Sequence, residues 1–336
     1  MTDPSRRAVT PDDSLPPVEP PSAGFLVQLF LVPAIIVGII VAVWVAFHWL
    51  AQLGNDPEGY LRALRRQTEG RWQAALNLAN DLRGPGGAAL KRDAALATEL
   101  SRILADETAS GRPSSPGYGG EQSRALCEYL CRALGEFAVP EAAPALVARA
   151  ADAGDARTAR AAVEAIAVLS ANLGEAGSGF GDPAAVTAAV LDASRGADAG
   201  LRSAAAFALG VIGGDAARER LAALTTDAAE DVRFNAATGL ARQGRPEAWP
   251  VLAEMLALPD VAADPDEETA RSARYRRALV VVNALKSVGL LVDASREPPS
   301  EAVVAAVTTL ADDPVADVRA AAKALAGKFA RISASP

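Results

Sequence analysis

Three groups of residues in this 336-residue chain have the types and spacing for chemistry. The first is a set of arginines, Arg202, Arg233 and Arg319, of which Arg202 and Arg233 stand one 31-residue period apart. A row of guanidiniums along one face would bind anions; the same arginines beside carboxylates would instead be structural. The second group is Arg271, Arg274, Arg276 and Arg277, which follow an acidic run of Asp260, Asp264, Asp266, Glu267 and Glu268. Acid against base at close range either neutralises itself or receives a partner, and Arg274, Arg276 and Arg277 are the candidate partner-binding residues. The third group is Cys127 and Cys131, at i and i+4 on an expected helix. Their side chains run parallel, which suits a disulfide poorly, and two thiols are half a zinc site at most. They are expected to be small buried apolar residues.

Much chemistry lacks its residues. His48 is the only histidine, and it stands at the end of an apolar run, so nucleophile–histidine systems and histidine metal centres have no donor elsewhere. No glycine-rich loop precedes a Lys-Ser or Lys-Thr. Acid–base work by Asp and Glu alone is a matter of geometry, which spacing does not decide. The expectation is a non-enzyme with no catalytic, cofactor-binding or metal-binding residues. The formal net charge of −8 and the acidic pI of about 4.9 leave no basic stripe to neutralise phosphates, so no nucleic-acid partner is expected.

The elements that would position these residues are helices. Half of the residues are hydrophobic but only 5% are aromatic, so alanine supplies much of the apolar surface. Alanine has the highest helix propensity and lets helices approach closely. Residues 197–258 contain two copies of one unit. Asp198, Arg202 and Leu209 of the first answer to Asp231, Arg233 and Leu240 of the second. In each copy the leucine follows its arginine by about two helical turns, so the two share a face. A period of this length signals stacked helix pairs rather than one globular core. A second phrase, Pro140-Glu141-Ala142-Ala143-Pro144-Ala145-Leu146, returns as Pro246-Glu247-Ala248-Trp249-Pro250-Val251-Leu252. Its prolines fit the first turn of a helix, where N–H groups have no intrahelical acceptor.

On Asp231-Val232-Arg233, on Leu201–Gly210 and on Asp317-Val318-Arg319 the chain resembles HEAT-repeat proteins of the bacterial, alanine-rich kind. The resemblance implies an all-α solenoid of about five helix pairs. It implies that Arg202, Arg233 and Arg319 bridge to carboxylates at a neighbouring helix start, with Asp198, Asp231 and Asp317 as the candidates. It also implies that second helices line a concave side, which would make Trp249 a candidate contact. Some enzymes that share the repeat bind iron through His-Glu pairs, which this chain lacks. The function implied is a scaffold or adaptor that binds another protein. The alternative is a HEAT-like enzyme or enzyme subunit, lyase-like or glycosylase-like, of which the glycosylase needs a basic concave face.

In chain order, residues 1–24 form a proline-rich tail expected to be disordered. Residues 25–50 carry no charge and would make a helix of about 39 Å, against a hydrocarbon core of about 30 Å. The run is longer than a signal-peptide core, and Phe47-His48-Trp49-Leu50-Ala51 lacks a small-x-small cleavage pattern, so an uncleaved single-pass anchor is expected. Arg62, Arg65, Arg66 and Arg71 outnumber Arg6 and Arg7, which places the C-terminal part in the cytoplasm at the cell membrane. Residues 51–107 lack the repeat phrase and are expected to cap the stack, with Trp72 as a core anchor. Residues 108–120 read as a flexible loop. From residue 121 to the end the helix pairs follow, swollen by insertions at 174–182 and 259–272, and closed by a helix at 315–330.

Overall fold

The computed structural model describes residues 23–53, 57–66, 68, 70–152, 154–260, 267–295 and 299–334, with the backbone alone for 23, 25–26, 48–53, 267 and 333–334. Most of the proline-rich tail, much of the acidic run and the His48 and Trp49 side chains therefore lie outside the described residues. Residues 1–54 and 55–336 form two separate units.

The described residues of the first unit form one helix, α1 (Ala23–Leu53), with Pro33 inside it. Between Val27 and Phe47 its large apolar side chains are all exposed, Phe30, Trp44 and Phe47 most of all. It is long and apolar enough to cross a membrane.

Among the described residues the second unit holds helices and no strands. Its α-helices are α2 (Pro57–Arg65), α3 (Arg71–Arg83), α4 (Ala94–Ala109), α5 (Tyr118–Gly135), α6 (Ala143–Ala150), α7 (Ala156–Glu175) and α8 (Pro183–Ala193). They continue as α9 (Ala199–Ile212), α10 (Asp215–Leu224), α11 (Glu230–Arg242), α12 (Trp249–Leu256), α13 (Glu267–Ser295), α14 (Glu301–Leu310) and α15 (Ala316–Ala334). The odd helices from α3 to α15 pack side by side in sequence order. From α6 to α12 each even helix touches the odd helix on either side of it. The result is two rows of helices in which each pair meets chiefly its neighbours, the organisation of a solenoid.

Local sequence sets the ends of these helices. Asp93, Asp155, Asp182 and Asp198 each accept the backbone N–H three residues on, the N-cap bond, at 2.9, 3.2, 2.9 and 2.7 Å. Such a cap contributes about 1 kcal/mol. The phrases beginning at Pro140 and Pro246 form 3-10 turns, Pro140–Ala142 and Pro246–Ala248, that feed α6 and α12. Pro144 and Pro250 then stand second in their helices, where a missing N–H costs no bond.

One apolar core runs from Leu64 to Phe329 between the two rows. Small residues let the odd helices approach. A Cβ built on Gly210 of α9 would lie 2.6 Å from the Gly239 Cα of α11, and one on Gly135 of α5 would lie 2.9 Å from the Ala165 Cα of α7. Polar bonds tie the same helices near their C-terminal ends. Asn172 Nδ2 donates to Gly135 O (3.1 Å), Gln243 Nε2 to Leu209 O (3.3 Å) and Lys328 Nζ to Gly289 O (2.8 Å). Each satisfies or shares a carbonyl in the last turns of the preceding odd helix.

The N-terminal helices without the repeat phrase continue both rows: α3 packs on α5, and α4 on α6. Trp72 of α3 is half-buried and stacks on Tyr129 of α5 with ring centroids 5.8 Å apart. Within the stretch read as a loop, residues 112–114 form a 3-10 turn and α5 already begins at Tyr118. Cys127 and Cys131 are free thiols buried on α5.

Candidate functional site: the outer face of the odd helices

The repeated arginines bond within the fold, and the carboxylate partners of Arg202 and Arg233 are not the ones local spacing suggests. Arg202 Nη1 donates to Gly196 O (3.1 Å) and Ala197 O (2.8 Å), while its Nε and Nη2 bind the two oxygens of Asp227 at 2.9 and 3.0 Å. Arg233 Nη1 donates to Asp227 O (2.9 Å) and Ala228 O (3.3 Å), and its Nη2 meets Glu254 at 2.5 Å. Arg319 Nη1 donates to Asp313 O (2.6 Å) and Pro314 O (3.3 Å). Each guanidinium thus closes the turn that leads into its own helix. The expected partner Asp198 is instead an N-cap, and Asp231 and Asp317 are exposed in first helical turns. Asp198 caps its own helix, whereas the acids that reach Arg202 and Arg233 come from the following even helix or just beyond it.

Asp227 joins one repeat to the next. Its carboxylate holds Arg202 of α9, its carbonyl holds Arg233 of α11, and its Oδ1 also accepts Ala229 N–H at 2.9 Å. The Arg202 guanidinium, helped by the Ala229 N–H, keeps the Asp227 carboxyl below the usual range against the opposing pull of burial. Asp313 repeats the arrangement: Oδ1 accepts Val315 N–H at 2.8 Å, the carbonyl holds Arg319, and Oδ2 takes Arg277 Nη2 at 2.8 Å. Arg71 at the head of α3 follows the same plan, donating to Leu64 O (2.7 Å) and to Glu107 (2.7 Å) at the end of α4. Glu107 is buried and also bound by Arg112 and Ser123. Burial alone would raise its carboxyl, but the bonds from Arg112, Ser123 and Arg71 outweigh it and lower the pKa.

This separates the four arginines of α13. Arg277 faces inward: its side chain is 9% exposed, that of Asp313 is 3% exposed, and its Nε also donates to Leu258 O at 3.2 Å. Arg271, Arg274 and Arg276 are exposed. Of the candidate contact residues Arg274, Arg276, Arg277 and Trp249, the structure therefore keeps Arg274 and Arg276 on the surface and takes up Arg277 in the fold. Trp249, at the start of α12, is half-buried against the core.

Among the described residues, the outer face of the odd row holds several hollows, three of which bear on the candidate residues. One, of about 350 Å³, lies beside Trp72, Arg112 and Glu107. A second, of about 410 Å³, lies across α7, α9 and α11, lined by Arg160, Glu164, Phe207, Asp231 and Asn235. The third, of about 610 Å³, lies between α13 and α15, with Tyr275 and Leu279 on its wall. Tyr129 and Phe207 on this face are covered by their neighbours: Arg132 sits 5.2 Å from the centre of the Tyr129 ring, and Arg242 sits 5.9 Å from that of Phe207. Spacing alone did not single out Phe207, Tyr275 or Leu279. The readable signal was the pair Tyr275 and Leu279 at i and i+4 after a basic turn. Reactive thiols are not part of this surface, since burial pushes the Cys127 thiol up to about 12.

Residues 186–276 match the profile of a family described as HEAT repeats. No curated protein matches the chain. Solved structures that do match include the Escherichia coli protein YibA, at 14% identity over 85% of this chain and 96% of that one, with a TM-score of 0.36. Human deoxyhypusine hydroxylase, solved in complex with glycerol, matches at 19% identity over 84% and 98%, with a TM-score of 0.29. An engineered protein matches at 18% identity over 83% and 98%, with a TM-score of 0.32. The expectation of a non-enzyme is corrected here: one of the solved structures that match this chain, the hydroxylase, is an enzyme. At these identities no activity passes from any of them to this chain. Among the described residues the chain is helical without strands, and residues 186–276 of it match HEAT repeats.

Proposed function

We propose that this chain is a membrane-anchored repeat scaffold, with α1 across the bilayer and the solenoid in the cytoplasm presenting the outer face of its odd helices to a protein partner. The observation that carries the reading is α1. Every large apolar side chain from Val27 to Phe47 is exposed, a continuous surface that water penalises and hydrocarbon accepts. The basic residues Arg62, Arg65 and Arg66 shortly after it favour the cytoplasmic side for the solenoid. Arg274 and Arg276 supply exposed charge for the partner, while Arg277 belongs to the fold.

The test is extraction and topology. Membranes containing the full chain should release it to detergent but not to carbonate or high salt. In oriented inner-membrane vesicles, protease added on the cytoplasmic side should degrade the solenoid. Release by carbonate would refute the anchor, and protection from that protease would put the solenoid on the other side.

A further inference from the structure

The hollow between α13 and α15 differs from the one beside Trp72 and the one across α7, α9 and α11. Its floor is small and apolar, Ala278 and Val282 from α13 with Ala320 and Ala321 from α15. Its wall is Tyr275, 66% exposed, and Leu279, 46% exposed. Tyr129 and Phe207 have arginines over their rings, whereas no cation among the described residues covers Tyr275. Arg274 and Lys286 line the same groove and form no ion pair with any described residue. The 12-residue interval between them spreads the two cations about 18 Å along α13, a little over three turns, with the apolar wall between them. Asp317 of α15 is the one carboxylate lining the groove.

We propose that this groove takes an amphipathic helix of a partner protein, one that carries an apolar stripe flanked by carboxylates about three turns apart. The inference rests on the scaffold reading and names the chemistry of its partner. Leucine or phenylalanine side chains of the incoming helix would cover Tyr275 and Leu279 and displace water from the alanine floor. That is the helix-in-groove mode, in which side chains at i, i+3, i+4 and i+7 anchor. The flanking carboxylates meet Arg274 and Lys286, which have no ion-pair partner among the described residues, so pairing them breaks no bond described there. An arginine there can bind a carboxylate through two parallel N–H donors. A helix flanked by lysines would instead place like charges together and be rejected.

The test is selection from a displayed library of designed helices of about four turns, with acidic, basic or uncharged flanks around random apolar stripes, against the full chain in detergent. Acidic-flanked helices should be enriched. A selected helix, made as a labelled peptide, should lose at least tenfold in affinity to Arg274→Glu/Lys286→Glu and to Leu279→Asp, with unchanged circular dichroism. All three side chains are exposed, so these variants keep the fold. Enrichment of basic or uncharged flanks, no enrichment, or affinity indifferent to the three substitutions overturns the proposal. Binding lost in Phe207→Asp but kept in Leu279→Asp leaves the scaffold standing and removes this groove. Self-association abolished by Leu279→Asp, with no peptide bound, makes the groove a contact between copies of this chain and overturns it equally.

Discussion

Asp227 is the residue on which the junction between two repeats depends, and removing it tests whether the arginine bonds hold the stack together. The substitution Asp227→Ala deletes two hydrogen bonds to Arg202, at 2.9 and 3.0 Å, and the turn bond to Ala229 N–H. The ion pair is mostly shielded, with the side chains of Arg202 and Asp227 17% and 12% exposed. Charge-assisted bonds contribute about 1.5–3 kcal/mol and a local turn or cap bond about 1 kcal/mol, so Asp227→Ala should cost about 2–4 kcal/mol. Asp227→Asn keeps an oxygen for Ala229 and loses the charge, and should cost about 1–2 kcal/mol. Because repeats unfold in part, the assay is hydrogen exchange across α9–α11 alongside urea unfolding followed by circular dichroism. The double variant with Arg202→Ala should show coupling of about 1–2 kcal/mol. Acid adds a check with a definite sign. The folded Asp227 carboxyl lies below its unfolded value of about 3.9. Its contribution is therefore full above that value and lost as pH falls through the folded one. The stability gap between wild type and Asp227→Asn should narrow as pH drops from about 6 to about 3. A cost below about 0.5 kcal/mol for Asp227→Ala, or simple additivity with Arg202→Ala, would refute the reasoning.

Other expectations can be checked with single substitutions. Gly210→Ala puts a Cβ 2.6 Å from the Gly239 Cα, so α9 and α11 must part. It should cost about 1–3 kcal/mol despite the helix propensity it gains. Gly174→Ala, with nothing within 4 Å, should hold or raise stability in the same denaturation assay. Arg277→Met strands the buried Asp313 carboxylate and should cost about 3–5 kcal/mol by urea unfolding, whereas Arg274→Glu should stay within about 0.5 kcal/mol. Burial at Cys127 raises the thiol to about 12, so native chain at pH 8 should resist iodoacetamide and react once unfolded. Since the folded thiol sits above the unfolded value of about 8.5, its share of stability falls as pH rises past that value.

The helix pairs were legible because their signals are local. An alanine-rich run after an aspartate, with a leucine two turns beyond an arginine, states both the helix and its inner face, and Leu201, Leu209, Val232 and Leu240 are all buried. The carboxylate partner of each arginine was not legible, because the bond spans the following even helix. Asp227 is 25 residues beyond Arg202, and Glu254 is 21 beyond Arg233. The nearer candidate, Asp198, was already committed to its own N-cap. The same distance hid the bond that joins α3 to α4. They lack the repeat phrase, yet Arg71 and Glu107, 36 residues apart, make the corresponding bond. Arg277 looked like its neighbours in a run of four arginines, and only the fold shows that its partner Asp313 waits beyond α14. The excluded enzyme class failed for another reason. A missing histidine removes histidine chemistry, but it does not speak for every catalyst that shares a helical repeat.

The charge of the chain makes a last prediction about the α13/α15 groove, because the far field and the near field there have opposite signs. The whole chain carries a net charge of −8, so an acidic helix approaching from a distance is repelled. Attraction comes from the cations that line the groove, Arg274 and Lys286 with Arg271 beside them. At physiological ionic strength the screening length is about 8 Å, shorter than the roughly 18 Å between Arg274 and Lys286. Added salt therefore weakens the repulsion during approach at least as much as it weakens the pairs made at contact. Association should be unsteered, about 10⁵–10⁶ M⁻¹s⁻¹, and should hold or rise between low and physiological salt, while dissociation quickens modestly. A simple basic patch behaves otherwise, with association falling steeply as salt is added. Stopped-flow measurement with a selected acidic-flanked peptide decides between the two. A steep fall in association rate with salt would mean that a wider positive field than this groove captures the peptide. A rate of dissociation unchanged in Arg274→Glu/Lys286→Glu would show that its carboxylates do not reach the two cations assigned to them.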